Sequence, residues 1–550
     1  MATMSPATDP PTLPTVTDVL VVGGGPAGLS MAALLAHHGV DCVVVERRER
    51  VNPHPRARSV NVRTAEIFRQ LGLLDEIEAI SLPMAWTERM IYTRSLAGPE
   101  IGRTDMGVQP VVDGRAVSPT AWLLTSQDQI EPIIRRAAEA SGRVQTHFDT
   151  ALVDLELGPG PGARATVRSG GDGGPTKTIE ARYVVAADGA ASTVRRRLGI
   201  AMEGQTDLAT LVNCQFRADL GPWTAERPAA LYWTTLPARN VFQKIDDTDR
   251  WLCQIGYDPR QDRPEDFTLE RAEAWIRTSI DPDPEVTADL EIEVMDVIPW
   301  VMSSTVAERF RHDCVFLVGD AAHQLPPSGG FGMNTAVQDA HNLAWKLAHV
   351  LGGRAGPGLL DTYHTERHPI ARYNADRSLD NTRSVGRIRR RVEGGGDPAE
   401  VAAAVAAAGR YGNWLGMDLG LHYESGCLIP DGSAPPVVDD PVSDYADTGR
   451  PGHRAPHVDL GRGRSSLDWY DRHFAVVLGV GARWEPAAPI RDLAVHRLDG
   501  PDAEDDHRRH GIEPTGALLV RPDGHVAWRA SAGAGPGAVA EAVGRLGIRA

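Results

Sequence analysis

The stretch Asp18-Val-Leu-Val-Val-Gly-Gly-Gly-Pro-Ala-Gly28 decides how the chain folds. Asp18 to Val22 is short, apolar and β-branched, the signature of a buried strand. It runs directly into glycines. Leu29 to His38 then keeps helical spacing until Gly39, and Val40 to Val45 is a second strand ending at Glu46. The result is a β-α-β unit with Gly23-x-Gly25-x-x-Gly28 at its first turn. Gly23 permits the tight turn, Gly25 lets the backbone approach a pyrophosphate, and Gly28 lets the helix pack against the strand. The helix opens at Pro26-Ala27, with free N–H groups and the positive end of its dipole toward the phosphates. Glu46 can accept a hydrogen bond from a ribose hydroxyl, and Arg47 beside it joins the candidate set. The alternative, a bare structural turn, does not call for strand, helix and acid in this order. FAD and NAD share the fingerprint, so the choice between them needs other residues.

A second motif supplies them. Val315-Phe-Leu-Val-Gly-Asp-Ala-Ala-His323 places Gly319-Asp320 after another buried strand, where a carboxylate can hold the ribityl hydroxyls of a flavin. Pro326 to Asn334 is a glycine-rich loop opening a helix. Its candidates are Pro327, Gly330, Gly332, Met333 and Asn334. Backbone N–H groups at such a helix start can stabilise negative charge on the N1/C2=O edge of a reduced flavin. A loop shortened by glycines is the plainer reading. A third motif, Tyr183 to Arg195, sets Asp188-Gly189 after a further strand; alone, Asp-Gly is an ordinary turn.

Composition bounds the rest. At 550 residues and 42% hydrophobic, the chain suggests two to four domains with a large core. A formal net charge of −16 argues against nucleic acid and anionic membrane surfaces as partners. The basic runs Arg195 to Arg197 and Arg387 to Arg391 read as solvated helix faces or neighbours of a ligand's phosphates. No apolar run reaches the length of a membrane span. Residues 1–17, rich in Pro and Thr, read as a disordered leader without the pattern of a secretion signal. Cys42, Cys214, Cys253, Cys314 and Cys427 are scattered without CxxC, so no zinc site is expected and a reducing cytoplasm fits.

The pattern along the chain predicts helices over Arg56 to Leu71, Thr125 to Ala140 and Thr335 to Val350, and through 361–410. Residues 151–185 read as a β-meander. Thr210 to Ala218, Ala230 to Thr235, Val241 to Ile245 and Arg250 to Tyr257 read as antiparallel strands, with a helix near 268–279. Pro435 to Pro456 is a linker. Beyond it, strand-like runs at Phe474 to Val480, Ile490 to Arg497, Gly516 to Arg521 and His525 to Ala530 form a small α/β module.

Taken together, the three motifs resemble the p-hydroxybenzoate hydroxylase-like (group A, single-component) flavoprotein aromatic hydroxylases. The resemblance runs in order from about Asp18 to Arg372 and includes Gln338-Asp-Ala-His-Asn-Leu-Ala-Trp-Lys-Leu347 and Tyr363-His-Thr-Glu-Arg-His-Pro369. Within the family, the chain looks most like bacterial aromatic polyketide hydroxylases with a thioredoxin-like C-terminal domain, whose entry Pro451-Gly-His-Arg-Ala-Pro-His457 resembles. The implied fold is α/β: a GR2-type Rossmann-like FAD domain over 18–190 and 301–400 with interleaved sheet segments, an antiparallel-sheet substrate domain over 191–300, a helix and linker over 401–450, and a thioredoxin-like domain over 451–550. That last domain has no cysteine, which leaves packing or dimer support as its role.

The resemblance also implies that Arg56 meets the FAD phosphates and that Gln127, from a Gln-x-x-x-Glu helix ending at Glu131, touches FAD. His323 is implied as structural. NADPH, with NADH as the alternative, would reduce FAD, and O2 would give a C4a-hydroperoxyflavin that hydroxylates a phenolic or quinonoid substrate. Tyr232, Trp233 and Phe331 are the candidates for lining the substrate pocket; many relatives have Gln at the position of Phe331. No catalytic base is assigned and no metal is expected. Monomer and homodimer both stay open. Baeyer–Villiger insertion, antibiotic-inactivating hydroxylation and a non-catalytic FAD-binding scaffold are the alternatives. A halogenase would carry Trp-x-Trp and a disulfide reductase CxxC, and neither occurs.

Overall fold

The computed structural model describes residues 12–107, 109–158, 160, 162–237, 239–393, 397–407, 412–484 and 493–549. Residues 1–11 of the expected leader lie outside them. Its last two residues already belong to the first strand, Val16–Val22.

That strand is central because it is apolar on both faces. It pairs in parallel with Cys42–Val45 on one side and with Thr176–Ala186 on the other. Val144–His147 extends the sheet beyond Cys42–Val45. Thr176–Ala186 has two roles along its length. Its first half pairs antiparallel with Ala163–Ser169, and its end, Val184 to Ala186, pairs in parallel with Val315–Leu317. The Asp188 and Asp320 motifs therefore emerge side by side from neighbouring parallel strands, next to the turn at Gly23. Helix α1 (Pro26–His37) covers the sheet, packed against α2 (Gln127–Ala140) and α3 (Phe331–Leu351).

A second eight-stranded sheet stands beside the first. Its centre is antiparallel: Met202–Arg217 pairs with Glu293–Ala307 and with Arg250–Tyr257, which pairs in turn with Asn240–Lys244. Leu231–Thr234 follows, then Arg89–Thr93 and Glu100–Asp105. Residues 89–105, which fall by sequence in the segment 18–190, thus supply two strands of this sheet. Leu269–Ile280 forms the helix expected near 268–279.

The C-terminal module is a four-stranded mixed sheet in the order Leu493–Leu498, Phe474–Gly479, Ala517–Val520, Val526–Ala530, with helices Ala503–His510 and Pro536–Arg545. The expected strand start at 490 lies outside the described residues. Two buried ionic clusters lock the module on. Arg454 donates from Nε to Glu66 at 3.0 Å, and Arg521 donates from Nε to Asp523 and from its terminal nitrogens to Glu366, each at 2.9 Å. Asp523 also accepts from Trp345 Nε1 of α3 at 3.1 Å.

Two expected helices are shorter. Residues 56–58 form a loop, Ser59–Val60 pairs with Leu123–Leu124, and the helix is Val62–Gln70. Asn61 sets that start, because its side chain accepts from Thr64 N at 2.9 Å. The long pattern through 361–410 resolves into α4 (Asp361–Glu393) and a separate helix Pro398–Ala407, with 394–396 and 408–411 outside the described residues.

Candidate active site

Between the two sheets lies one continuous cavity of about 640 Å³. One half is built by the three motifs. Gly23 takes φ +111°, and a Cβ there would stand 2.2 Å from Ala187 O, so only glycine makes this turn. Gly24 N donates to Glu46 Oε2 at 2.7 Å, which ties the turn to the end of the second strand. A Cβ on Gly25 or Gly332 would meet no atom within 4 Å. Both glycines line the cavity, and both sit at helix starts.

These are the starts of α1 and α3. Neither N-terminus carries a side-chain cap: Gly25 and Gly330 occupy the N-cap positions. Two uncapped helix ends, each with unpaired N–H groups and positive dipole, therefore meet at one cavity. Arg47, Arg48 and Arg56 line the same half. Arg56 is exposed to the cavity, and burial by the surrounding protein together with Arg48 lowers its pKa. Asp320 is accessible from the cavity yet ringed by protein, and this desolvation raises its carboxyl pKa against the pull of His323 and Arg56. Gln127 donates to Glu131 at 2.6 Å, and desolvation pushes Glu131 up to about 7. Asp188 lines the cavity and also caps the short helix Thr193–Arg197, accepting from Thr193 N at 2.7 Å and Val194 N at 3.2 Å.

Pro26, Ala27, Pro327, Gly330 and Met333 line this half as well. Gly28, Gly319 and Asn334 stand behind it. A Cβ on Gly28 would lie 1.9 Å from Gly23 O, and one on Gly319 would lie 3.0 Å from the Cβ atoms of Ala27 and Ala336, so both are packing glycines. Asn334 accepts from Asn61 N at 3.0 Å and donates to Gly330 O at 2.8 Å, bracing the loop. His323 is buried against Asp339 at 2.7 Å, and Arg367 holds the other oxygen of Asp339 at 2.8 Å. This makes His323 a structural histidine that ties the Asp320 loop to α3 and α4.

The other half of the cavity rests on the second sheet. Its lining is largely apolar, with Met90, Met106, Trp122, Trp233, Val241 and Leu252. Of the three expected pocket residues, only Trp233 lines it. Tyr232 is fully buried on the opposite face of the sheet, its hydroxyl donating to Arg227 O at 2.7 Å. Adjacent strand residues point to opposite faces, so the pair could not both line one cavity. Phe331 is also corrected: it is buried edge-on against Trp414, while Gly330 and Gly332 on either side face the cavity. Sequence reading missed Arg58, Trp122, Gln243, Gln254 and Trp414, all lining residues, and it offered Arg389, which also lines the cavity, only as part of a basic run. Arg389 belongs to the basic run Arg387 to Arg391 on α4, whose cluster of charge was its one signal, whereas Trp414 comes from the expected linker region and carries no signal in its local pattern.

The residues present suit FAD: a glycine cradle, two open helix ends and three arginines for its phosphates and flavin edge, and a carboxylate for its ribityl chain. Residues 16–378 match the FAD binding domain family, and residues 448–546 match the aromatic-ring hydroxylase C-terminal family. The chain belongs to the FAD-dependent aromatic-ring hydroxylases. It is 34% identical over 567 residues to a 2,4-dichlorophenol 6-monooxygenase of Delftia acidovorans, covering 94% of this chain and 95% of that one. It is 36% identical over 532 residues to aklavinone 12-hydroxylase RdmE of Streptomyces purpurascens, covering 93% and 95%. The fold superposes on the flavin-dependent monooxygenase PieE, solved with FAD and substrate, with TM-score 0.85 and 34% identity over 96% of this chain and 99% of that one. No described helix is long and apolar enough to cross a membrane.

Proposed function

We propose that this chain hydroxylates a phenolic or quinonoid aromatic polyketide, consuming NADPH and O2. The observation that carries the reading is the continuity of one cavity from two open helix N-termini to an apolar, tryptophan-lined chamber. The names of the relatives, a 2,4-dichlorophenol monooxygenase, an aklavinone hydroxylase and a polyketide hydroxylase, support an aromatic polyketide guest for that chamber.

In this reading, Gly23, Gly25, Arg47 and Arg56 take the FAD pyrophosphate, Glu46 the ribose, and Asp320 the ribityl hydroxyls. Gln127 and Asp188 complete the cofactor contacts. Backbone N–H groups of Gly332 and Met333 hold negative charge on the flavin edge, while the Gly330 N–H donates to Pro327 O at 3.0 Å and shapes the loop beside them. Segments 18–190 and 301–400 serve the cofactor apart from interleaved sheet pieces such as residues 89–105, which join 191–300 in serving the substrate; 401–450 links them to the C-terminal module, and 451–550 braces them. Reduced FAD supplies the activation of O2.

The chain itself binds the aromatic ring, orients it and excludes water, which would discharge activated oxygen unproductively. Among the described lining residues, the carboxylates come from the nucleotide-side elements, so the substrate's own phenolic ionisation provides the electron-rich ring. Five unpaired, buried cysteines support a reducing, cytoplasmic setting. The test is NADPH oxidation by the FAD-loaded enzyme with and without phenolic polyketides, following product mass. Substrate-stimulated oxidation with a gain of one oxygen atom is the expected result. Oxidation that yields only hydrogen peroxide across the whole panel would overturn the reading.

A further inference from the structure

The substrate half of the cavity carries two carboxamides whose hydrogen-bond polarity is dictated by neighbours that can only donate. Arg58 Nε is one such donor. It binds Gln243 Oε1 at 2.9 Å, which fixes the carbonyl of Gln243 toward Arg58 and turns its NH2 the other way. Trp300 Nε1 is the other. It donates to Asn213 Oδ1 at 2.8 Å, and the same oxygen accepts from Gln254 Nε2 at 3.1 Å, which leaves the carbonyl of Gln254. The NH2 of Asn213 approaches His54 Nε2 at 3.4 Å, and His54 Nδ1 faces Asp296 at 3.0 Å, so that chain is anchored at its far end as well.

Arg58 adds charge to this pattern. It is buried and lines the cavity, and its bonds run to neutral acceptors: Gln243, the Lys244 carbonyl, and the Ala230 carbonyl at 2.6 Å. Among the described residues no carboxylate pairs with it. Burial alone pulls its pKa down, to about 9, and arginine at that value is still a cation at neutral pH. A buried cation without a counter-charge favours an anion within reach. Gln243 stands opposite Leu252 and Gln254 opposite Val241 on neighbouring antiparallel strands. The two amides are therefore diagonal neighbours on one face, roughly 7–8 Å apart along the backbone.

We propose that Gln243, backed by Arg58, and Gln254 orient the substrate by polarity: an ionised phenol or quinone oxygen accepts from the Gln243 NH2, and a separate hydroxyl donates to the Gln254 carbonyl. The substrate class is then a hydroxylated, fused-ring quinone or phenol that carries both an acidic oxygen and a second free hydroxyl. This rests on the hydroxylase reading above.

The test uses the FAD-loaded enzyme and measures Kd from the perturbation of flavin absorbance by 2,6-dihydroxyanthraquinone and its mono- and di-O-methyl ethers. The monomethyl ether keeps an ionisable oxygen and loses the second donor. The wild type is expected to bind it about tenfold more weakly than the parent, the size of one lost hydrogen bond. Gln254→Met should bind the two alike. Gln243→Glu, nearly isosteric, places a carboxylate on Arg58. It should weaken the parent by a similar factor and abolish the gain in affinity seen as the ligand ionises with pH, and Gln243→Met is the neutral control. FAD content and far-UV circular dichroism verify that each variant is folded and loaded. If the wild type does not discriminate the ethers, or if folded variants keep its full discrimination, the polarity assignment is overturned while the hydroxylase reading stands. A wild type that binds and oxygenates no member of the series and no simple phenol overturns both.

Discussion

Tyr232 and Trp233 are adjacent on one strand and serve opposite sides of the substrate sheet: Tyr232 is sealed in the core against Trp251, and Trp233 lines the cavity. The pair separates stability from function within two residues. Tyr232→Ala should destabilise the enzyme by about 3–5 kcal/mol, the range for a large buried aromatic. Trp233→Ala should cost less stability than Tyr232→Ala, since its half-buried ring stacks on Tyr92 from the cavity side, and should raise KM for the aromatic substrate and divert reducing equivalents to hydrogen peroxide. Chemical denaturation read beside coupled product yield tests both halves; equal stability loss in the two variants would contradict the facing described.

The glycines of the first turn divide in the same way. Gly25 faces open cavity and Gly28 faces the Gly23 carbonyl. Gly25→Val should fold but purify without yellow colour, because its side chain would fill the space left for the pyrophosphate. Gly28→Val should lower thermal stability markedly, because backbone has to move. The ratio of flavin to protein absorbance, with circular dichroism, reports each outcome.

Glu66 joins the first domain to the C-terminal module through Arg454. Desolvation opposes its ionisation, but Arg454 and Arg63 hold its carboxyl at about 2, against 4.5 ordinarily. Between those values the unfolded chain binds the proton and the folded chain does not. The stabilisation, on the order of 3 kcal/mol, is therefore complete above about pH 4.5 and lost as pH falls toward 2. Glu66→Gln should cost several kcal/mol at neutral pH, since two buried guanidinium groups lose their counter-charge, and should remove this acid limb from the curve of stability against pH.

Asp418 has the opposite sign. Desolvation raises its carboxyl to about 7 despite hydrogen bonds from Asn61 Nδ2 and Val62 N. The folded state holds a proton that the unfolded state releases near 3.8. Stability should therefore decline as pH rises from about 4 to 7, and Asp418→Asn should flatten that slope. Urea midpoints taken at half-unit pH steps distinguish the two slopes.

Much of the cofactor half was legible because its chemistry is local. A strand, a glycine turn and a helix start are written in consecutive residues, so Gly23, Gly25, Asp188 and Asp320 could be placed before any contact was known. Even there, the difference between Gly25, which faces the cavity, and Gly28, which packs behind it, depends on which neighbour stands within van der Waals reach. The start of the Val62–Gln70 helix escaped the periodic pattern because a single side chain, that of Asn61, sets it.

The β-α-β opening, the order of the three motifs and hence the FAD-dependent class are written in local spacing, since each of these rests on residues a few positions apart. The substrate half emerges only from long-range packing. Arg58, Gln243, Gln254, Arg389 and Trp414 come from a loop, two strands of one sheet, a long helix and a connecting segment, and apart from the basic run around Arg389 none carries a local signature. Their shared cavity arises from sheet register and from the docking of distant segments, which depend on packing across the whole chain rather than on any window of it.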